Sequence, residues 1–307
     1  MSSTEITLPQ IFTHTSDTHT TTIHWTSIGP ANAPPVIFIH GTPWSSYTWA
    51  AHALALSTRY KVYLFDRPGF GASPDRQPLH PDSPPELDGS LSGQAASFAA
   101  LYTSWAFHPS QPPHVIAHDN AGLVALRAHL THGTAYASLC LVDVVAVPPF
   151  GSPLFRLIAQ NHAVFDAVPD SVHEGILRSY IRDASARPLS KDVEDRLVQP
   201  WTPAGTQGPQ AFIRQLVQAD QRFAADVEPR YAEVGAAMPV KVVWGTEDQW
   251  IPAERAKTLA EGVAARDSVL VDGAGHLIMF DQPERLAVEI AVWLGSVGRP
   301  ALGDSAC

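Results

Sequence analysis

Short, wholly apolar runs alternate with longer amphipathic stretches along the first half of this chain. Val36-Ile37-Phe38-Ile39 and Lys61-Val62-Tyr63-Leu64-Phe65 read as strands, as does the run that ends near Asp119 and the run Ser138 to Val142. Such runs without polar alternation fit central parallel strands covered on both faces. Thr21 to Thr26 is β-prone, with Ile23 and Trp25 on one face. Helical patterns fall between, around Ser92 to Trp105 and from Leu123 to Leu130. Strand–helix alternation at this spacing predicts a mostly parallel sheet flanked by helices, the α/β class.

The pattern changes after about residue 147. Strand signals vanish, and helical segments such as Val172 to Ile181 and Gln210 to Phe223 take over. Alternation resumes with a strand at Val240 to Trp244, a helix at Pro252 to Val263, a strand at Ser268 to Val271 and a helix at Pro283 to Trp293. The expected organisation is a core in two parts, residues 1–147 and 239–298. An inserted helical cap at 148–238 and a tail at 299–307 complete it. No internal repeat is visible.

Composition narrows the function classes. Twenty basic and thirty acidic residues leave a formal charge of −10, and no basic run exists, which argues against nucleic acid as a partner. Cys140 lies in an apolar run and reads as an inert core thiol; Cys307 is the last residue and is expected to be mobile. Two cysteines cannot make the disulfide framework of a small secreted protein. No leader-like segment and no apolar window of membrane-spanning length occurs, so a cytoplasmic protein without membrane contact is expected. The proline-rich stretch Pro78 to Pro85 reads as an exposed, irregular loop. His14, His19 and His24 lack companion ligands at metal spacing and read as exposed hairpin residues. No metal and no cofactor is expected. The expected partner is a small-molecule substrate, with a homodimer left open.

Candidate chemistry concentrates at strand ends. Ala117-His118-Asp119-Asn120-Ala121-Gly122 ends a strand and starts a helix at once. Small residues around one polar residue give the geometry of a nucleophile elbow, here presenting Asp119. A carboxylate there can attack an electrophilic carbon and form an ester; alone, it could equally cap the helix. His276 in Gly273-Ala274-Gly275-His276 is positioned to act as a base toward water. Asp248, after Val242 to Glu247, can accept the other imidazole N–H, with Glu247 as its rival. His40 and His118 adjoin turns and are read as shaping them. All these residues lie just beyond strand C-termini, the edge where open parallel sheets bind ligands.

The order nucleophile, acid, histidine resembles the α/β-hydrolase fold. Asp66-Arg67-Pro68-Gly69-Phe70-Gly71-Ala72-Ser73, Trp244 to Asp248 and Gly275-His276 are similar to that family's turn, acid and histidine segments, so the resemblance spans nearly the whole chain. An aspartate at the elbow with His40-Gly41-Thr42-Pro43 upstream looks like the epoxide hydrolase and haloalkane dehalogenase branch. The resemblance implies an Asp119–His276–Asp248 triad, with backbone N–H groups of Thr42 and Asn120 as the oxyanion hole. It further suggests Trp44, His162, Tyr180 and Tyr231 as substrate-binding residues. Ile213 joins them, since it precedes an arginine where the family often carries a cap tyrosine. The chain departs from the dehalogenase pattern: Asn120 stands where tryptophan follows the nucleophile, and Thr42 where asparagine is usual. The arginine that follows the nucleophile in fluoroacetate-type enzymes is absent too. The leading expectation is therefore an epoxide hydrolase-like enzyme acting on an apolar substrate through an Asp119 ester. Alternatives are a haloalkane dehalogenase, a lyase or isomerase using Asp119 and His276 for proton transfer, and a non-catalytic ligand receptor.

Overall fold

A computed structural model describes residues 5–80 and 89–297. Residues 81–85 of the proline-rich stretch, Cys307 and the 299–307 tail lie outside the described residues. Nine strands form one sheet: β1 (Gln10–Thr15), β2 (His19–Ile28), β3 (Pro35–Ile39), β4 (Lys61–Phe65), β5 (Gln77–Pro78), β6 (His114–His118), β7 (Ser138–Val142), β8 (Val240–Gly245) and β9 (Asp267–Val271). Their order is β1-β2-β4-β3-β6-β7-β8-β9, with the short β5 beside β2. β1 and β2 form an antiparallel hairpin and β2 runs antiparallel to β4; from β4 to β9 every pairing is parallel.

Burial explains which strands were legible. Every residue of β3, β6, β7 and β8 is buried, as apolar runs covered on both faces must be. β1 shows solvent on both faces and gave no such signal. The hairpin corrects one histidine: His14 is exposed and His24 half-buried, but His19 is buried with Nδ1 on the Thr18 hydroxyl at 2.9 Å. Cys140 is free and fully buried, and burial pushes its thiol up to about 12.

Core helices α1 (Ala50–Leu56), α2 (Leu91–Ser104) and α3 (Ala121–His132) follow the early strands. Between β7 and β8 the chain is wholly helical: α4 (Pro153–Gln160), α5 (His162–Asp166), α6 (Asp170–Asp183), α7 (Lys191–Val198), α8 (Pro209–Gln218), α9 (Arg222–Ala225) and α10 (Tyr231–Ala237). Helices α11 (Glu254–Gly262), α12 (Ile278–Asp281) and α13 (Pro283–Val297) complete the chain. The single helix expected from Gln210 to Phe223 is broken. The Asp220 carboxylate accepts the backbone N–H of Arg222 at 2.8 Å, which ends one helix and starts the next. The helical block is tied to the core at separated points. Trp201 Nε1 donates to the Pro43 carbonyl at 2.9 Å, Tyr231 Oη to the Ala146 carbonyl at 2.9 Å, and Arg127 pairs with Asp226. Among the described residues, no helix is long and apolar enough to cross a membrane.

Candidate active site

Asp119 follows β6 with φ +55°, a left-handed conformation unusual for a side chain other than glycine. The strain is held by neighbours. The Asp119 carbonyl accepts N–H groups of Gly122 and Val145, each at 3.0 Å. Small residues are compulsory around it. A Cβ at Gly122 would lie 2.4 Å from the Val144 side chain, and one at Gly41 would lie 2.4 Å from Asp119 Cβ. The tight turn therefore presents the Asp119 carboxyl at the C-terminal edge of the sheet.

The two carboxylate oxygens face different groups. Oδ2 accepts the backbone N–H of Thr42 at 2.6 Å, and the backbone N–H of Asn120 also bonds to this carboxyl. Oδ1 lies 3.6 Å from His276 Nε2, beyond hydrogen-bond length, and Nε2 has no other protein partner. His276 Nδ1 meets Asp248 Oδ2 at 2.9 Å. Asp248 Oδ1 accepts the backbone N–H groups of Trp250 and Ile251 at 2.7 and 2.9 Å, so the acid is fixed by its own turn. Glu247, its rival in the sequence, is exposed. His118 Nε2 lies 2.9 Å from the His276 carbonyl, and Asp281 accepts the N–H of Gly275 at 2.8 Å. Both pin the histidine loop. His40 Nδ1 lies 2.8 Å from the Gly41 carbonyl, and its Nε2 accepts the Arg67 N–H, so it braces the turn.

Electrostatics sets opposite tendencies. Burial raises the Asp119 carboxyl, opposed by His276, the two backbone donors and Arg67. Burial lowers His276, but the charges of Asp248, Asp119 and Asp143 outweigh it and carry the imidazole up to about 9. The neighbouring carboxylates thus favour the protonated imidazole, and His276 in turn favours the ionised form of Asp119.

Two charged groups here were not singled out from sequence. Arg67, 1% exposed, donates through Nη2 to Thr42 Oγ1 at 3.0 Å. Asn120 Nδ2 meets the same oxygen at 2.6 Å. With two donors on the Thr42 hydroxyl, its own proton is left to point elsewhere. Burial pushes the Arg67 guanidinium down to about 9, while Asp119 raises it. Asp143 follows β7 with φ +45° and is fully buried; its Oδ1 accepts the Gly245 N–H at 2.7 Å. The strand-end rule that picked out Asp119, Asp248 and His276 applies equally to Asp143.

The cavity against Asp119 encloses about 30 Å³ and is walled by Phe150, Phe155, Tyr180, Leu216, Trp250 and Ile251, among others. That is room for a water or two; a substrate needs the walls to move. Of the substrate-binding residues expected from sequence, only Tyr180 lines it. Its ring stacks on Trp250 with centroids 4.0 Å apart, and Trp250 stacks on His276 at 5.0 Å. The Tyr180 hydroxyl has Ser152 Oγ at 3.5 Å. The others lie outside its lining. Trp44 is buried behind Trp250, and Ile213 is buried on α8, where Leu216 supplies the wall. Tyr231 turns its hydroxyl to Ala146, and His162 is exposed on α5, a helix with no buried residue. Trp250 was legible two residues past Asp248; the remaining wall residues carried no signal of direction. Among the described residues, no group of ligating side chains could hold a metal ion.

Comparison with known proteins places these features in context. The profile of the alpha/beta hydrolase family matches residues 36–289. The crystal structure of an alpha/beta hydrolase fold protein from Burkholderia ambifaria superposes with a TM-score of 0.79 at 36% identity, covering 93% of this chain and 97% of that one. A pimeloyl-[acyl-carrier protein] methyl ester esterase of Aeromonas salmonicida is 24% identical over 85% of this chain and 96% of its own length. Epoxide hydrolase A of Mycobacterium tuberculosis is 23% identical over 91% of this chain and 95% of its own.

Proposed function

The chain belongs to the alpha/beta hydrolase family, and from that premise we propose an epoxide hydrolase-like enzyme that works through a covalent ester on Asp119. One observation carries the reading: the oxygens of Asp119 are differentiated. Oδ2 accepts the backbone N–H of Thr42, while Oδ1 lies on the side of His276. A serine hydroxyl could not use both halves of that arrangement, whereas a carboxylate uses one oxygen to attack and the other as the ester carbonyl.

Asp119 Oδ1 attacks an epoxide carbon, the C–O bond breaks, and the alkoxide takes the Tyr180 proton. Ester formation removes the Asp119 charge, one of those that hold His276 protonated; the imidazolium then yields its proton, which restores the phenol. Neutral His276 next takes a proton from water. The hydroxide adds to Asp119 Cγ, with negative charge gathering on Oδ2 beside the Thr42 and Asn120 N–H groups. Losing one such donor costs about 3 kcal/mol in the barrier. Collapse expels the alcohol oxygen, protonated by His276, and the last proton returns the pair to carboxylate and imidazolium. Asp248 steadies the imidazolium throughout.

Tyr180 favours an epoxide over a halide, because it supplies a hydroxyl in the cavity wall and no tryptophan follows the nucleophile. Relatives named as methyl ester esterases and as epoxide hydrolases both occur at low identity, so the site geometry carries this reading rather than the names. Single turnover of an epoxide in heavy-oxygen water is expected to place label in the Asp119 carboxylate. Productive turnover that leaves Asp119 unlabelled would overturn the ester route.

A further inference from the structure

The small cavity beside Asp119 shares part of its wall with a neighbouring cavity. Val145, Phe150, Gly151, Trp250 and Ile251 also line a second cavity of about 250 Å³ that opens outward. Two arginines line this outer cavity, Arg156 on α4 and Arg255 on α11, and no aspartate or glutamate does. Arg156 donates to the Gly151 carbonyl at 2.6 Å, and Arg255 donates to the Pro148 carbonyl. Each guanidinium carries five N–H donors, so both keep donors to offer. Among the described residues neither has a carboxylate at ion-pair distance, whereas Arg178, Arg182, Arg230 and Arg285 all do. Arg59, Arg67, Arg187 and Arg266 also stand outside the ion pairs of the described residues; Arg156 and Arg255 differ in lining one cavity together.

We propose that this outer cavity is a carboxylate-binding subsite, and that the substrate is an apolar molecule with its reactive carbon at Asp119 and a carboxylate between Arg156 and Arg255. The identity of the reacting end rests on the function proposed above; the anionic end rests on the outer cavity alone. Charge sets the orientation. At the inner end the carboxylates of Asp119 and Asp248 are set against His276 and Arg67, while at the outer end the two arginines face no carboxylate and attract an anion. The apolar segment then passes Val145, Phe150, Trp250 and Ile251. Guanidinium suits a carboxylate because its fork matches two oxygens.

The test compares a terminal epoxide that carries a distal carboxylate with its methyl ester. Wild type is expected to prefer the free acid in kcat/KM, mainly through KM, and the preference should shrink as ionic strength rises. Changing both arginines in Arg156→Gln/Arg255→Gln should reduce that preference about tenfold, while Arg156→Lys/Arg255→Lys should keep most of it. Equal use of acid and ester by wild type, or a preference untouched in the glutamine pair, would overturn the subsite. Calorimetry with the unreactive saturated alkanoate reads the subsite without any turnover. Binding to wild type that is lost in the glutamine pair supports it even if no epoxide reacts, and no binding to wild type refutes it. Turnover of both epoxides without label on Asp119 would instead strike the ester mechanism alone.

Discussion

Asp119, Asp248 and His276 stand on turns whose backbone is bonded into the sheet edge, whereas Phe150, Phe155 and Tyr180 reach the same cavity from the helical segment between β7 and β8. The first group is 6%, 7% and 0% exposed. In the opposing segment Phe150 and Tyr180 are buried too, but its α4–α5 stretch is looser: α5 buries nothing, α4 buries only Ile158, and Val164 is 66% exposed. The difference separates two tasks. Chemistry needs atoms held within fractions of an ångström, so it sits where turns and backbone donors over-determine each side chain. Recognition needs a wall that can part, because the space left against Asp119 holds water but not substrate. Phe155 is the wall residue carried by this sparsely buried stretch.

This contrast can be broken first at the rigid edge. Asp119→Asn should lower single-turnover rate about 10⁴-fold or more, since it removes the attacking group itself. A loss of only a few-fold, with deamidation excluded by mass, would move the chemistry elsewhere. Tyr180→Phe keeps the ring stacked on Trp250 and deletes the hydroxyl. About a 10²-fold drop in kcat for epoxides is expected if the phenol protonates the leaving oxygen. An unchanged kcat would leave Tyr180 as wall alone.

The pH dependence sharpens the same comparison. His276 in the free protein titrates near 9, raised above its ordinary value. Its pairing therefore contributes stability that is complete below about 6.5 and is lost as pH rises through about 9. In the ester the Asp119 charge is gone, so hydrolysis of the intermediate should rise with pH along a limb below 9. Rapid-quench rates that show the limb at or above the free-protein value would contradict the charge coupling. The smallest effect belongs to the loose region: His162→Ala should change kinetics less than about twofold and stability by less than about 0.5 kcal/mol.

The same physical division governs what could be read from the chain. The parallel strands and the elbow were legible because full burial demands apolar runs, and because Gly41 and Gly122 mark backbone approaches that a Cβ would block. Asp248 and His276 followed from their places after strands. β1 was missed because its residues face solvent and need no pattern. The substrate wall was illegible for another reason. Tyr180 and Tyr231 are both buried helical tyrosines, and only three-dimensional packing sends one toward Trp250 and the other toward the Ala146 carbonyl. Arg67 stood in a quoted motif, yet nothing in its spacing said that the guanidinium turns inward beneath Thr42.

In the proposed reaction Asp119 becomes an ester which His276 helps to hydrolyse. Intact-mass and peptide spectrometry of the His276→Gln variant after exposure to an epoxide tests it most directly. An adduct of substrate mass on the peptide that contains Asp119, stable over many wild-type turnovers, is expected. Substrate consumption with no adduct on that peptide would contradict it.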